Sequence, residues 1–170
     1  MNARGGYGSH PEYIGKVLGL LGEDVLLLSY EDQREFAAAS LNRFRTIGSA
    51  RLDWRGAHVV ERCEAYDGAA LASLLGVHAG PDELVVVFWD NFVVPSIALP
   101  AASAARHAGA ILDEGYACWI LLTDSGILIE FQDGEGMTVG TPPPPSDGER
   151  ERPRARPSRR PGPRGKREAQ

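Results

Sequence analysis

The sequence predicts an α+β fold, or a mixed α/β one, in a single domain over residues 11–140. Its sheet is expected to hold roughly five strands, the usual size, with helices flanking it. Three observations carry this reading. Leu84–Trp89 is an unbroken β-branched and aromatic run, which predicts a strand covered on both faces near the middle of a sheet. Residues 100–113 place Ala101, Ala104, Ala105, Ala108, Ile111 and Leu112 on one helical side, with Gly115 as the stop. Residues 118–122 and 127–131 are apolar runs joined by Asp124-Ser125-Gly126, a hairpin signal.

The other elements follow in chain order. Residues 1–10, with Gly5, Gly6 and Gly8, are expected to be flexible. Residues 11–21 place Tyr13, Ile14, Val17, Leu18 and Leu21 at helical spacing, and Pro11 suits a first turn. Residues 25–28 predict a short buried strand. Residues 32–44 predict a helix with Phe36, Ala37, Leu41 and Phe44 on one stripe, starting near Glu31 or Asp32. In residues 50–64, Leu52, Trp54, Val59 and Val60 fit strands joined by a turn at Arg55-Gly56. Asp67 is placed to cap a short helix ending at Gly76, with Leu71, Leu74 and Leu75 inward. Asp90 and Asn91 end the central strand, and Pro95 makes residues 92–97 a bend or an edge. A turn at 133–136 precedes a last short strand over 137–139. Residues 141–170 hold eight of the twelve prolines and no Val, Ile, Leu, Phe, Trp or Tyr. Nothing there offsets the entropy of ordering a backbone, so a disordered tail of polyproline character is expected.

Charge is laid out unevenly. Residues 1–140 carry 9 Lys/Arg against 19 Asp/Glu, a net of −10, and residues 141–170 carry 9 against 4, a net of +5. An acidic domain with a basic tail points to charged macromolecular partners. Between Asp82 and Glu135 Arg106 is the only base, against nine acids. No apolar run approaches the ~20 residues of a membrane helix, and the N-terminus lacks the apolar core of a secretory signal. Two cysteines, Cys63 and Cys118, make no disulfide framework, so a reduced, cytoplasmic setting is expected. Arg outnumbers Lys 16 to 2, a bias of GC-rich, bacterial coding.

No residue set names a reaction. His10, His58, His78 and His107 are not paired at metal spacing, and the cysteines share no zinc-ligand interval. Gly134, Gly136 and Gly140 lack the spacing of a phosphate loop, and Asp133 and Glu135 would repel phosphate. Glu130, Asp133 and Glu135 do not match a calcium loop. No cofactor and no metal are expected. The carboxylates leave two readings open. One is a face for a basic protein, formed by Asp90, Asp113, Glu114, Asp124, Asp133 and Glu135, with Phe92, Tyr116 or Trp119 as an apolar anchor; core burial is favoured for Trp119. The other is a small carboxylate-dependent hydrolase using carboxylates near Asp90 and Glu130; His107, on the polar side of its helix, would need an orienting carboxylate to be catalytic and is read as a surface or capping histidine. Nucleic acid is disfavoured by the acidic domain, except weakly through the tail.

Residues 84–140 carry a resemblance. Its parts are Val87-Phe88-Trp89-Asp90-Asn91-Phe92-Val93-Val94-Pro95-Ser96, then Asp113-Glu114-Gly115-Tyr116-Ala117-Cys118-Trp119-Ile120, then Ile129-Glu130-Phe131 with its Gly-rich exit. Together they are similar to the immunity proteins of bacterial contact-dependent growth-inhibition and related polymorphic toxin systems. The resemblance implies a small cytoplasmic protein that binds a cognate toxin domain, often a nuclease, and blocks its active site or substrate path. It implies no catalytic residues, and the basic tail lies outside it.

Overall fold

The computed structural model describes residues 24–48 and 50–145, with Glu12, Lys16, Gly19 and Gly22 from the segment before them. The expected flexible N-terminus, 1–10, and residues 146–170 of the expected tail lie outside the described residues. Glu12, Lys16 and Gly19 are helical, as the spacing over 11–21 predicts.

Seven strands form one sheet: β1 (Leu26–Leu27), β4 (His58–Cys63), β5 (Leu84–Trp89), β6 (Ile97–Pro100), β7 (Ala117–Leu122), β8 (Leu128–Gln132) and β9 (Gly136–Thr141), ordered β1-β6-β5-β7-β8-β9-β4. β2 (Arg45–Ile47) and β3 (Arg51–Asp53) form a separate hairpin. Every pairing is antiparallel, so the fold is α+β and not mixed. The expected five strands become seven because a typical sheet size cannot count edges. β1 is only two residues long, and β4 alternates weakly because most of its residues are exposed. The turn at Arg55-Gly56 is present, with Ala57 N donating to Trp54 O at 3.1 Å. Its flanking strands do not pair with each other: β3 joins β2, and β4 joins β9. The domain also runs one residue past its expected end, since Thr141 pairs with His58.

Four helices are described: α1 (Tyr30–Ala39), α2 (Gly68–His78), α3 (Ala101–Arg106) and α4 (Ala108–Leu112). α1 starts earlier than expected because Ser29 caps it, with Ser29 Oγ accepting from Asp32 N at 3.1 Å. Asp67 caps α2 by accepting from Ala70 N at 2.8 Å. α2 passes Gly76 and ends at His78; a glycine inside a helix is a modest cost that packing of Leu71, Leu74 and Leu75 overrides. The expected single helix of 100–113 is two, because His107 sits at φ −109° and ψ 18°. Pro100 belongs to β6.

The sheet is the middle of three layers. Val85, Val87 and Trp89 of β5, and Cys118, Ile120 and Leu122 of β7, face α2, α3 and α4 through Leu71, Leu75, Ala104 and Ile111. Val86, Phe88, Trp119 and Leu121 face the opposite way, against Ala37, Phe44, Leu52 and Trp54. Both faces of β5 and β7 are therefore dry, which explains the absence of a polar break in either strand. Fully burying one such aliphatic side chain contributes roughly 1.5–3 kcal/mol.

Backbone contact fixes where α2 meets α4. A Cβ on Gly68 would lie 2.5 Å from Gly109 N. This approach sets Asp67 and Tyr66 beside the exit of α4. Gly68→Ala is expected to force the two helices apart and cost about 1–3 kcal/mol, as overpacking does. A urea midpoint equal to that of the unsubstituted chain would show that the helices give way freely.

Candidate functional site

Two open clefts flank the end of the sheet where β5 stops and β7 begins. The first, of about 720 Å³, lies between the start of α2, the end of β5, the exit of α4 and the exit of β8. Its walls carry Asp67, Asp90, Asp113, Glu114 and Asp133, with Tyr66 and Tyr116, over an apolar floor that includes Leu112 and Phe131. No Lys or Arg lines it among the described residues.

Each carboxylate is placed by a different device. Asp90 extends the β5–β7 ladder: its N–H donates to Ala117 O at 3.1 Å, and its Oδ1 accepts from Ala117 N at 3.3 Å. Gly115 permits this, because a Cβ there would lie 2.5 Å from Asp90 Oδ1. Trp89 Nε1 donates to Ile111 O at 2.8 Å and anchors the last turn of α4 over the sheet end. Asp113 then projects from the helix exit and is exposed, as is Asp133 beyond β8. No side-chain hydrogen bond or ion pair engages either carboxylate among the described residues. Tyr116 is 80% exposed and Tyr66 50%. Phe92, 71% exposed, lies in the turn that follows Asp90.

The expected face is thus partly assembled and partly dispersed. Asp90, Asp113, Glu114 and Asp133 share the first cleft. Glu114 is a correction: it is buried, not a surface contact, and its Oε1 accepts from Lys16 Nζ at 2.8 Å. That pairing answers the unfavourable helix dipole at its position. Asp124 sits in the β7–β8 turn, at the far end of β7 from Tyr116, about 17 Å along a six-residue strand. Glu135 lines the second cleft and is ion-paired with Arg51.

The second cleft, of about 660 Å³, lies between the β2–β3 hairpin, β4 and β9. The most buried carboxylate in its lining is Glu130, which is 4% exposed. Glu130 Oε1 accepts from Leu52 N at 2.7 Å, Gln132 Nε2 at 3.2 Å and Trp119 Nε1 at 3.4 Å, and Oε2 accepts from Trp54 Nε1 at 2.5 Å. Sequence reasoning placed Glu130 among the reactive carboxylates; the structure makes it a tie between the hairpin and the sheet. The alternation of β8 carried the signal, since Leu128 and Glu130 share a face that points into a dry layer. Beside it, Arg55 grips Asp53 in a bidentate pair, and this holds the Asp53 carboxyl down at about 2.

The candidates for catalysis are not brought together. Asp90 and Glu130 line different clefts, and His107 lines neither. Cys118 is fully buried in the core, and burial, with the Asp90 charge second, pushes its thiol above the ordinary value. Trp119 is buried, so the favoured core role holds and it is no surface anchor. Glu130 and Glu135 face one cleft and Asp133 the other, so the three do not converge on calcium. Among the described residues no cluster of three His, Cys, Asp or Glu could hold a metal ion.

A further buried carboxylate, Glu83, escaped the sequence analysis as anything but surface charge. It is 3% exposed and accepts from Gly80 N, Asp124 N and Ser125 N, each at 2.8 Å. Burial raises its pKa, but the donors from Ser125, Gly80 and Asp124 together outweigh burial and hold it below the ordinary value.

Two expectations follow. Glu130→Leu strands two indole N–H groups and one backbone N–H in a dry layer, each costing about 1–3 kcal/mol. The urea midpoint should fall sharply and Trp54 emission should move to the red; unchanged emission would mean the hairpin does not rest on Glu130. For Glu83, a depressed folded pKa gives stability that is whole above the ordinary carboxyl value of 4.5 and lost as pH falls through the folded value. Glu83→Gln can serve Gly80 or the Asp124 and Ser125 donors, but not both. It should cost about 1–3 kcal/mol at neutral pH and flatten the acid limb of stability against pH. An acid limb as steep as before would assign that limb to other groups.

Compared with known proteins, the chain matches no protein-family model, and no curated protein matches it.

Proposed function

We propose that this chain is an immunity protein, binding a cognate toxin domain through the acidic cleft and neutralising it by contact. The observation that carries this is the gathering of Asp90, Asp113 and Asp133 in one cleft whose rim bears the exposed Tyr66 and Tyr116. A basic patch on a toxin, such as one that grips a nucleic-acid backbone, is matched by such a surface in charge and in stacking chemistry. Exposed carboxylates at Asp113 and Asp133 raise the encounter rate, and tyrosine rings accept guanidinium groups face-on. Asp90 adds charge from a fixed position, while the charge of Glu114 is answered by Lys16. Neutralisation then follows from occlusion: the toxin's own substrate path is filled. Asp90 and Glu130 line different clefts and His107 lines neither, which favours this contact role over hydrolysis.

The test is to look for a toxin gene adjacent to this one and, with the toxin domain it encodes as the partner, to measure association rate against salt; the absence of any such gene would count against the reading. Asp113→Lys with Asp133→Lys should slow association about tenfold at low salt and remove most of its salt dependence. Asp124→Lys, at the other end of β7, should leave the rate unchanged. A double variant that associates as fast as the unsubstituted chain, with flat salt dependence in both, would overturn the role of this cleft.

A further inference from the structure

We infer that the acidic cleft also receives this chain's own Arg/Pro-rich segment, residues 150–161, which a partner must displace. This goes beyond toxin binding, since it concerns the chain alone. Three features of the molecule support it.

The first is complementarity of kind. The segment reads Arg150-Glu151-Arg152-Pro153-Arg154-Ala155-Arg156-Pro157-Ser158-Arg159-Arg160-Pro161. It alternates guanidinium groups with proline rings. Grooves that take proline-rich chains are lined with aromatic side chains, and carboxylates at their rims take the arginines. The first cleft has this make-up: Tyr66 and Tyr116 at the rim, Leu112 and Phe131 in the floor, and the exposed carboxylates of Asp113 and Asp133. The second cleft does not, because its rim already carries Arg51, Arg55 and Arg62, which would repel the segment.

The second feature is charge. Residues 1–140 carry −10 and residues 141–170 carry +5. At the first cleft Lys16 answers Glu114, and Asp67, Asp90, Asp113 and Asp133 leave the lining net acidic.

The third is reach. β9 ends at Thr141, beside the Leu128 end of β8, and the cleft lies at the opposite end of these strands, beside Asp133. The span along β9 is about 17 Å, and crossing to β7 adds about 10 Å. Pro142–Pro145 add at most about 12 Å to that span, and residues 146–161 cover about 50 Å at the polyproline rise of ~3.1 Å per residue. Arg159 and Arg160 therefore reach the cleft without rearrangement of the sheet, whichever way Pro142–Pro145 lead. Tethering at this length supplies a local concentration in the millimolar range, enough to hold a weak contact.

The experiment uses the full chain labelled with ¹⁵N and ¹³C, alone in solution. Tyr66 and Tyr116 resonances should move as NaCl rises to about 0.5 M, where charge attraction is largely screened. At that salt they should coincide with those of a chain ending at Pro145. Full-length Asp113→Lys with Asp133→Lys should show no such movement, which provides the comparison should the shortened chain fail to fold. The shifts should not depend on protein concentration. Tyr66 and Tyr116 resonances identical in the full and shortened chains at low salt would overturn the inference. So would movement of the arginine resonances alone, which would place the segment elsewhere. Shifts that grow with concentration would mean docking between copies, and would overturn docking within one chain. Failure here leaves toxin association, measured separately, untouched.

Discussion

The paired strands β5 and β7 present apolar side chains to both sides, so the chain must supply two covers. Val85, Val87, Cys118 and Ile120 need one, and Val86, Phe88, Trp119 and Leu121 the other. The helices α2, α3 and α4 form the first. The second is assembled from smaller parts: α1, Phe44, and the β2–β3 hairpin with Leu52 and Trp54. A two-stranded hairpin is marginal by itself in water. It needs a specific attachment, and Glu130 provides it.

That attachment shows how an ionisable group can be used inside a protein. A buried carboxylate is costly unless donors surround it. Glu130 meets a backbone N–H and the indole N–H of Trp54 from the hairpin, and that of Trp119 from the sheet. Glu83 does the same at the far end of the strands, where it gathers the Gly80 turn and the Asp124-Ser125 turn. Both carboxylates fix loop geometry that apolar packing alone would leave loose.

The acidic cleft is a consequence of the same frame. It opens where β5 and β7 end, and the Trp89 indole holds the exit of α4 over that end. Asp90 and Glu114 are tied to Ala117 N and Lys16, while Asp113 and Asp133 face solvent. Exposed charge near fixed charge, with tyrosines at the rim, makes a surface suited to guanidinium groups. Whether they come from a partner or from residues 150–161, the chemistry of recognition is one.

The central strand, the β7–β8 hairpin and the Asp67 cap were legible in the sequence, because each rests on a local rule: a continuous apolar run, a turn tripeptide, a capping carboxylate. The α+β class was legible from the same three kinds of signal. Strands at β1 and β4 were expected from residues 25–28 and from Val59 and Val60, but their places at the sheet edges were not legible, because their pairing partners, Ile97 and Ala98 for β1 and residues 137–141 for β4, lie far along the chain. The role of a carboxylate was the least legible property of all. Asp133 and Glu135 are two residues apart yet face different clefts, and Asp124, close by in sequence, lies a strand's length away from Asp90. Sequence determined that residues 82–135 carry a large excess of acids. Only the tertiary structure decided which of those acids are buried ties and which are exposed together, because burial and donor geometry depend on residues far along the chain: Leu52 and Trp54 for Glu130, Lys16 for Glu114, and Ala117 for Asp90.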